Sequence, residues 1–473
     1  MTLDSLFKPK NVAIVYASEK VGYFIYGFKE MGFEMNNLYL INTSREELFG
    51  YKCYKSLNDV PVDTIDLIIL SIRREGLIET LKDIFSKKKV NFIHIFTAGT
   101  GEADEKGEKI ESEIKSLLEA NNNATRIMGP NCMGIYCPTG GISYYPTFPK
   151  EEGIISLIFQ SGDLHSKMIK FGSIRHRLRF THGVSIGNCV DLQVSDFLEY
   201  FNNIDQTKII CVYIEGFSKL YPNEGKKLFN TLKNMKKPVL LIKGGKSSRA
   251  QTAAASHTGA IASNQRIWKA MFNQTSTIEV PSSLDDLIDY TYLFYSLLKR
   301  KEKDIYPKGK NVLVILWSGG FGILATDIIT GLGLEMPIFE GKTLEKLKKI
   351  YPKIIGSLSN PLDLPWIVYT NEYLEIAKAA IAENIDLVII ESDAWRESDD
   401  DRFQGYYHNL LQIKKHIESL NKVLIITLPE YTSKSRSKFY NMLLEDDFIV
   451  FPNVERASKA FLALYEYGIK KSK

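Results

Sequence analysis

Residues 11–22 read Asn11-Val12-Ala13-Ile14-Val15-Tyr16-Ala17-Ser18-Glu19-Lys20-Val21-Gly22. A short apolar run rich in β-branched residues enters a turn of small residues, and an amphipathic stretch follows. The pattern returns at Phe159–Leu164 and at Trp317–Ile323. Apolar runs of the same kind lie at Asp66–Ile72, Phe92–Ala98, Lys208–Gly216, Pro238–Gly245, Asn311–Ser318, Asp386–Asp393 and Lys422–Pro429. Helix-like segments stand between them, among them Gly107–Ala120, Glu224–Met235, Glu372–Asn384 and Tyr406–Leu420. Strands that each feed a helix predict parallel sheets with helices on both faces, so the fold class is α/β.

Two breaks divide this alternation. Pro138, Gly140, Gly141, Pro146 and Pro149 interrupt it across Cys137–Pro149, and Lys299–Lys310 is a charged run with Pro307 and Gly309. The expected units are residues 1–137, 138–300 and 311–473, each of a size normal for one domain.

The bulk properties exclude several functions. Of 473 residues 44% are apolar and 25% charged, and 60 Lys plus Arg against 56 Asp plus Glu give a net charge of +4. That bias is too small to select nucleic acid or a membrane as the main partner. Cys53, Cys132, Cys137, Cys189 and Cys211 are dispersed without a CxxC spacing, which fits neither a disulfide framework nor a zinc site. No two histidines stand at a metal spacing, so no metal is expected on this chain. The amino terminus lacks the basic-then-apolar order of a secretory signal, and the expected compartment is the cytoplasm. The apolar stretch Val312–Leu334 is interrupted by Ser318, Gly319, Gly320, Gly322 and Asp327, and reads as a strand turning into a helix.

In open α/β sheets, ligands lie beyond the carboxyl ends of the strands, where helix N-termini offer free N–H groups to anions. Three small-residue turns in such positions suit a protein that handles phosphates. The sharpest local signal is Ala253-Ala254-Ala255-Ser256-His257-Thr258-Gly259-Ala260, preceded by Lys243-Gly244-Gly245-Lys246. An imidazole among very small residues can receive a bulky group. On the residues alone, His257 is either a nucleophile or ligand, or a capping or turn histidine.

Ser256-His257-Thr258-Gly259 resembles the phosphohistidine segment of the succinyl-CoA synthetase and NDP-forming acetate–CoA ligase superfamily. Further segments match in order: Gly129-Pro130-Asn131-Cys132-Met133-Gly134, Gln160-Ser161-Gly162, Ser185-Ile186-Gly187-Asn188 with Asp191, and Tyr213-Ile214-Glu215-Gly216. Near the other end, Ser318-Gly319-Gly320-Phe321-Gly322 and Ser359-Asn360-Pro361-Leu362-Asp363-Leu364 resemble motifs of the family's second ligase domain. The resemblance implies a Rossmann-like CoA-binding domain followed by two flavodoxin-like ligase domains.

It also implies roles. His257 accepts a phosphoryl group from an acyl phosphate and passes it to a nucleoside diphosphate, while Glu215 holds the far ring nitrogen and fixes the tautomer. Ser161, Gly162 and Gly259 bind phosphate. Ser18, Lys20, Gly22, Thr97, Ala98, Gly99 and Asn131 bind coenzyme A. Cys132 is expected to be a small buried thiol rather than a nucleophile. Asn42-Thr43-Ser44-Arg45 replaces the family's Asn-Pro-Lys, so the basic contact to CoA phosphates has moved to Arg45 or is absent. The opening turn departs as well, since relatives carry Gly before Ala-Ser. Arg73 replaces a common Pro, and Asp163 replaces a small apolar residue. No ATP-grasp-like stretch or Walker loop is found. The implied chain is the α subunit of an NDP-forming acyl-CoA synthetase. The partner implied is a separate ATP-grasp β subunit holding Mg²⁺ and ADP or ATP, in an α2β2 assembly. A CoA-binding regulatory homologue without synthetase activity is the alternative.

Overall fold

The computed structural model describes residues 2–250, 264–281, 283–300, 306–352, 356–381, 384–393, 401–430 and 434–472. The chain divides into two compact units, Met1–Thr291 and Tyr292–Lys473.

The first unit contains two seven-stranded sheets. One is built from β1 (Val12–Val15), β2 (Leu38–Ile41), β3 (Glu47–Leu48), β4 (Tyr51–Tyr54), β5 (Thr64–Leu70), β6 (Lys89–Ile95) and β7 (Arg126–Met128), in the order β3-β4-β2-β1-β5-β6-β7. Every pairing is parallel except β3 with β4. All four residues of β1 are buried because strands flank it on both edges and helices cover both faces. The covering helices include α2 (Gly22–Met31), α3 (Leu77–Lys87) and α4 (Glu105–Ala120); a single turn, α1 (Asp4–Phe7), precedes the sheet.

The second sheet has the order β14-β13-β12-β10-β11-β8-β9. Its strands are β8 (Gly134–Cys137), β9 (Ile142–Ser143), β10 (Glu152–Phe159), β11 (Phe180–Ser185), β12 (Ile209–Ile214), β13 (Val239–Lys243) and β14 (Ile278–Glu279). The proline- and glycine-rich stretch after Cys137 is thus no plain linker. It closes β8 on β9, and β8 runs antiparallel to β11. The helices α5 (Gly162–His176), α6 (Val194–Asn202) and α7 (Glu224–Lys233) follow β10, β11 and β12. The loop after β11 is fastened to the first sheet. Asp191 accepts from Arg126 Nε at 2.9 Å and from the Ile127 N–H at 2.7 Å, and Val190 joins the first sheet's apolar core.

The second unit carries a six-stranded sheet, β16-β17-β15-β18-β19-β20. The strands are β15 (Val312–Leu316), β16 (Ser357–Leu358), β17 (Leu362–Asp363), β18 (Leu387–Glu391), β19 (Val423–Thr427) and β20 (Ile449–Phe451). Only β16 with β17 is antiparallel. Leu313, Ile315, Val388, Ile390, Leu424 and Ile426 alternate onto one face and enter a single apolar core. The Ser318-Gly319-Gly320 turn leads from β15 into the helix Gly319–Gly331. The architecture is therefore α/β with three mostly parallel sheets. Among the described residues, no helix is long and apolar enough to cross a membrane.

Candidate functional site: a cleft at the strand ends of the first unit

The carboxyl ends of β1, β5, β6 and β10 open onto one cleft of about 790 Å³. Ser18 and Lys20 line it from the turn after β1, and Ser71 to Arg74 from the turn after β5. Phe96, Thr97 and Ala98 follow β6, Asn131 to Met133 lie between β7 and β8, and Gln160 to Asp163 follow β10. Seven residues expected from the sequence thus meet in one space: Ser18, Lys20, Thr97, Ala98, Asn131, Ser161 and Gly162. Gly22 and Gly99, also expected at the site, do not line it. Gly22 opens α2 where any Cβ would lie 2.7 Å from the Phe49 ring. Gly99, at φ 86, presents its carbonyl to Arg74 Nη1 at 2.7 Å.

One end of the cleft is set by α5. Ser161 is its N-cap, and the Ser161 Oγ accepts from the Leu164 N–H. The preceding N–H groups of the first turn remain without intrahelical partners and carry the positive end of the helix dipole. Asp163 does not oppose them from within. Its carboxylate pairs with Lys167 at 2.6 Å along the helix and its side chain is 69% exposed.

Asn131 adopts φ 57, and its N–H donates to the Thr97 carbonyl at 2.9 Å, joining two walls. Behind it, Asn188 Nδ2 lies 3.0 Å from Thr100 Oγ1, 2.6 Å from Glu102 and 2.8 Å from Glu111. Burial raises the Glu111 carboxyl above its usual range, with the neighbouring Glu102 charge adding to the effect. The Asn188 amide and the Gly101 N–H at 2.9 Å oppose that shift. Cys132 is 4% exposed, and burial pushes its thiol well above the ordinary range, so it is a packing residue at neutral pH.

Glu215 directly follows β12 and is buried. It does not line the cleft, but Gln160 does, and Gln160 Oε1 accepts the N–H groups of Glu215 and Gly216. Lys243, the register partner of Ile214 at the end of β13, donates its Nζ to the Glu215 carbonyl at 2.7 Å. Burial lowers the Lys243 ammonium to about 8 although the Glu215 carboxylate favours the charged form. Tyr213 hydrogen-bonds the Glu215 carboxylate, and burial together with that charge raises its hydroxyl. Gln160, Tyr213 and Lys243 were not assigned roles from sequence. Their signal was present only as membership of the quoted motifs. His257 and Gly259 lie outside the described residues.

The cations of the cleft are unevenly engaged. Arg74 is tied to Asp104 at 2.9 Å and to the Gly99 carbonyl, whereas Lys20 and Arg73 have no carboxylate partner among the described residues. Arg45 is bound to Glu19 at 2.6 Å and does not line the cleft.

A CoA binding domain model matches residues 10–138, and a succinyl-CoA ligase like flavodoxin domain model matches residues 152–294. The chain is 31% identical over 394 residues to acetate–CoA ligase [ADP-forming] II subunit alpha of Pyrococcus furiosus, covering 82% of this chain and 81% of that one. To the I subunit alpha of the same organism it is 28% identical over 100% of this chain and 99% of the relative. Against the acetate–CoA ligase [ADP-forming] of Methanocaldococcus jannaschii, 36% identity spans 75% of this chain but 48% of that protein. The solved dinucleotide forming acetyl-coenzyme A synthetase 1 of Ca. Korarchaeum cryptofilum, in complex with phosphate and ADP, superposes with a TM-score of 0.80 at 25% identity, covering 99% of this chain and 97% of that one. With its two domain models in this order and its alpha-subunit relatives matched over most of their length, the chain belongs to the ADP-forming acetate–CoA ligase family of the succinyl-CoA synthetase superfamily.

Proposed function

We propose that this chain is the CoA-ligase subunit of an NDP-forming acyl-CoA synthetase. It interconverts acyl-CoA, ADP and phosphate with carboxylic acid, ATP and CoA. The observation that carries the reading is the convergence of the turns after β1 and β6, Asn131 and the free N-terminus of α5 on one cleft. Lys20 and Arg73 offer uncompensated charge to the phosphates of CoA. The thiol end then lies toward Asn131, and inorganic phosphate lies at Ser161 and Gly162. Phosphate oxygen attacks the thioester carbonyl, the C–S bond breaks, and the thiolate takes a proton to leave as free CoA. The acyl phosphate then yields its phosphoryl group to a neutral His257 nitrogen, releasing the carboxylate. Glu215, held by Gln160 and Tyr213, orients the imidazole from the other nitrogen, with Gly259 at the bound phosphoryl group. Transfer from the phosphohistidine to ADP regenerates the ring. Catalysis on this plan is positioning and charge neutralisation, as in phosphoryl transfer generally.

The domain limits that go with this reading are 1–137 for CoA binding, 138–300 for the first ligase domain and 311–473 for the second. The partner is a separate ATP-grasp β subunit that holds Mg²⁺ and the nucleotide, in a cytoplasmic α2β2 complex. Relatives named as alpha subunits are covered over 81% and 99% of their length, whereas the M. jannaschii ligase is covered over 48%.

The test is reconstitution of the full chain with a β partner, acyl-CoA, phosphate and ADP. Acid-labile, base-stable label on wild type and none on His257→Ala is the expected result. Turnover that survives His257→Ala sinks the mechanism. Wild type that binds CoA but is never phosphorylated supports the regulatory alternative instead.

A further inference from the structure

Tyr144 lies just after β9, and His165 and Ser166 lie in the opening turns of α5. Tyr144 and His165 are fully buried. The Tyr144 hydroxyl stands 2.6 Å from His165 Nδ1 and 3.0 Å from Ser166 Oγ, and Ser166 Oγ donates to the Gly162 carbonyl at 2.9 Å. The direction of these bonds follows from the hydrogens available. Ser166 gives its one hydrogen to Gly162, so toward Tyr144 it can only accept. Tyr144 gives its own to Ser166, so its oxygen accepts from the ring and Nδ1 carries the imidazole proton. Were that proton on Nε2, Tyr144 would have to serve two acceptors with one hydrogen. Nε2 has no hydrogen-bond partner, and a Cβ on Gly183 would lie 2.6 Å from it, so this edge of the ring packs directly against β11. With the proton on Nδ1, no buried N–H is stranded there. Burial lowers the imidazole to about 3, which keeps the ring neutral at physiological pH.

We infer that Tyr144 is a positioning residue for the phosphate-binding turn, joining His165 through Ser166 to the Gly162 carbonyl. Tyr144, His165 and Ser166 do not line the cleft, so they act on it only through the first turn of α5. The Gly162 carbonyl and the Asp163 N–H belong to one peptide unit, and that N–H is among the first-turn groups without an intrahelical partner. A donor on the carbonyl polarises the unit and strengthens its N–H toward an anion. The same link ties the turn to the stretch after β9, a separate element, so its N–H groups are aimed before the anion arrives. The inference rests on phosphate binding at Ser161 and Gly162, and it adds the buried groups that hold and polarise that turn.

Steady-state kinetics of the full chain reconstituted with a β partner test it, with phosphate and acyl-CoA varied in turn. Tyr144→Phe and Ser166→Ala each break the chain at one link. Each should raise KM for phosphate roughly three- to tenfold, the worth of one hydrogen bond, and leave KM for acyl-CoA unchanged. Links in series fail together, so the double variant should match either single one. Nitrogen NMR of the histidine-labelled wild type, assigned by the signal lost in His165→Asn, should place the His165 proton on Nδ1. Unchanged KM for phosphate in both single variants, additive losses in the double variant, or a proton on Nε2 overturns the chain and leaves the phosphate site standing. Equal rises in both KM values mark a general loosening of the cleft and overturn it as well. Wild type with no saturable dependence on phosphate overturns the phosphate site and this inference together.

Discussion

Lys243 Nζ donates to the Glu215 carbonyl at 2.7 Å, so a buried ammonium clamps the end of the strand that presents the proposed orienting carboxylate. Parallel pairing of Ile214 with Lys243 brings these residues together although 28 positions separate them.

The ammonium should make stability depend on alkaline pH. Burial lowers its pKa from 10.5 to about 8, so between those values the unfolded chain binds more protons than the folded one. Stability therefore rises from pH 8 toward 10.5 as the cost of the buried charge is relieved. Lys243→Met should remove that rise, on the order of 1–3 kcal/mol, in urea titrations of the full chain at pH 7.5, 9 and 10. Parallel curves for the two proteins would show that the ammonium is not desolvated.

Gly162 should tolerate no side chain. A Cβ there would lie 2.3 Å from Met133 Cγ, at the mouth of α5 where phosphate is proposed to sit. Gly162→Ala should depress kcat in the reconstituted complex at least tenfold, and adding Met133→Ala should recover part of the loss. A double variant no better than Gly162→Ala would mean that steric contact with Met133 is not the cause.

Asn188 should act through the wall of the cleft rather than on the chemistry. Its replacement by Leu leaves the Glu111 carboxylate short of a donor, a loss of about 1–3 kcal/mol in stability. With it the Thr97–Gly101 turn loosens, so KM for acyl-CoA should rise several-fold while kcat falls less. Steady-state kinetics on the reconstituted complex separate these, and an effect confined to kcat would contradict the positioning role.

Asp191 should be costly to remove. It binds the Arg126 side chain and the Ile127 N–H, and its side chain is 9% exposed. Asp191→Ala leaves a buried N–H without its acceptor and a half-buried guanidinium with only the more distant Asp196 at 3.8 Å, which should cost about 3 kcal/mol in chemical denaturation. Asp191→Asn, which keeps an acceptor oxygen, should cost less.

Cys132 should be inert. Burial raises its thiol, so alkylation of the folded chain at pH 8 should spare it, and Cys132→Ala should retain turnover. Rapid labelling at this position, read by peptide mass, would show the thiol to be open to solvent.

Local patterns fixed much of the fold in advance. Apolar runs flanked by small-residue turns, as at Val12–Val15 and Val312–Leu316, can bury both faces only within a parallel sheet, so element type and order follow from periodicity. The pairing of Gly134–Cys137 into the second sheet was not legible, because an antiparallel pairing depends on which strand lies alongside and not on the four residues themselves. The candidate site was legible as a set of turns and one histidine segment, each carried by residue type.

Which of those turns share a space was decided only by the tertiary structure. Register and crossover bring Lys20, Thr97, Asn131 and Ser161 to one rim, from positions far apart in the chain. The burial that shifts Lys243 and Cys132 has the same origin. Desolvation and contact are properties of the packed neighbourhood. The sequence names the groups, and the fold sets the dielectric and the partners that give them their chemistry.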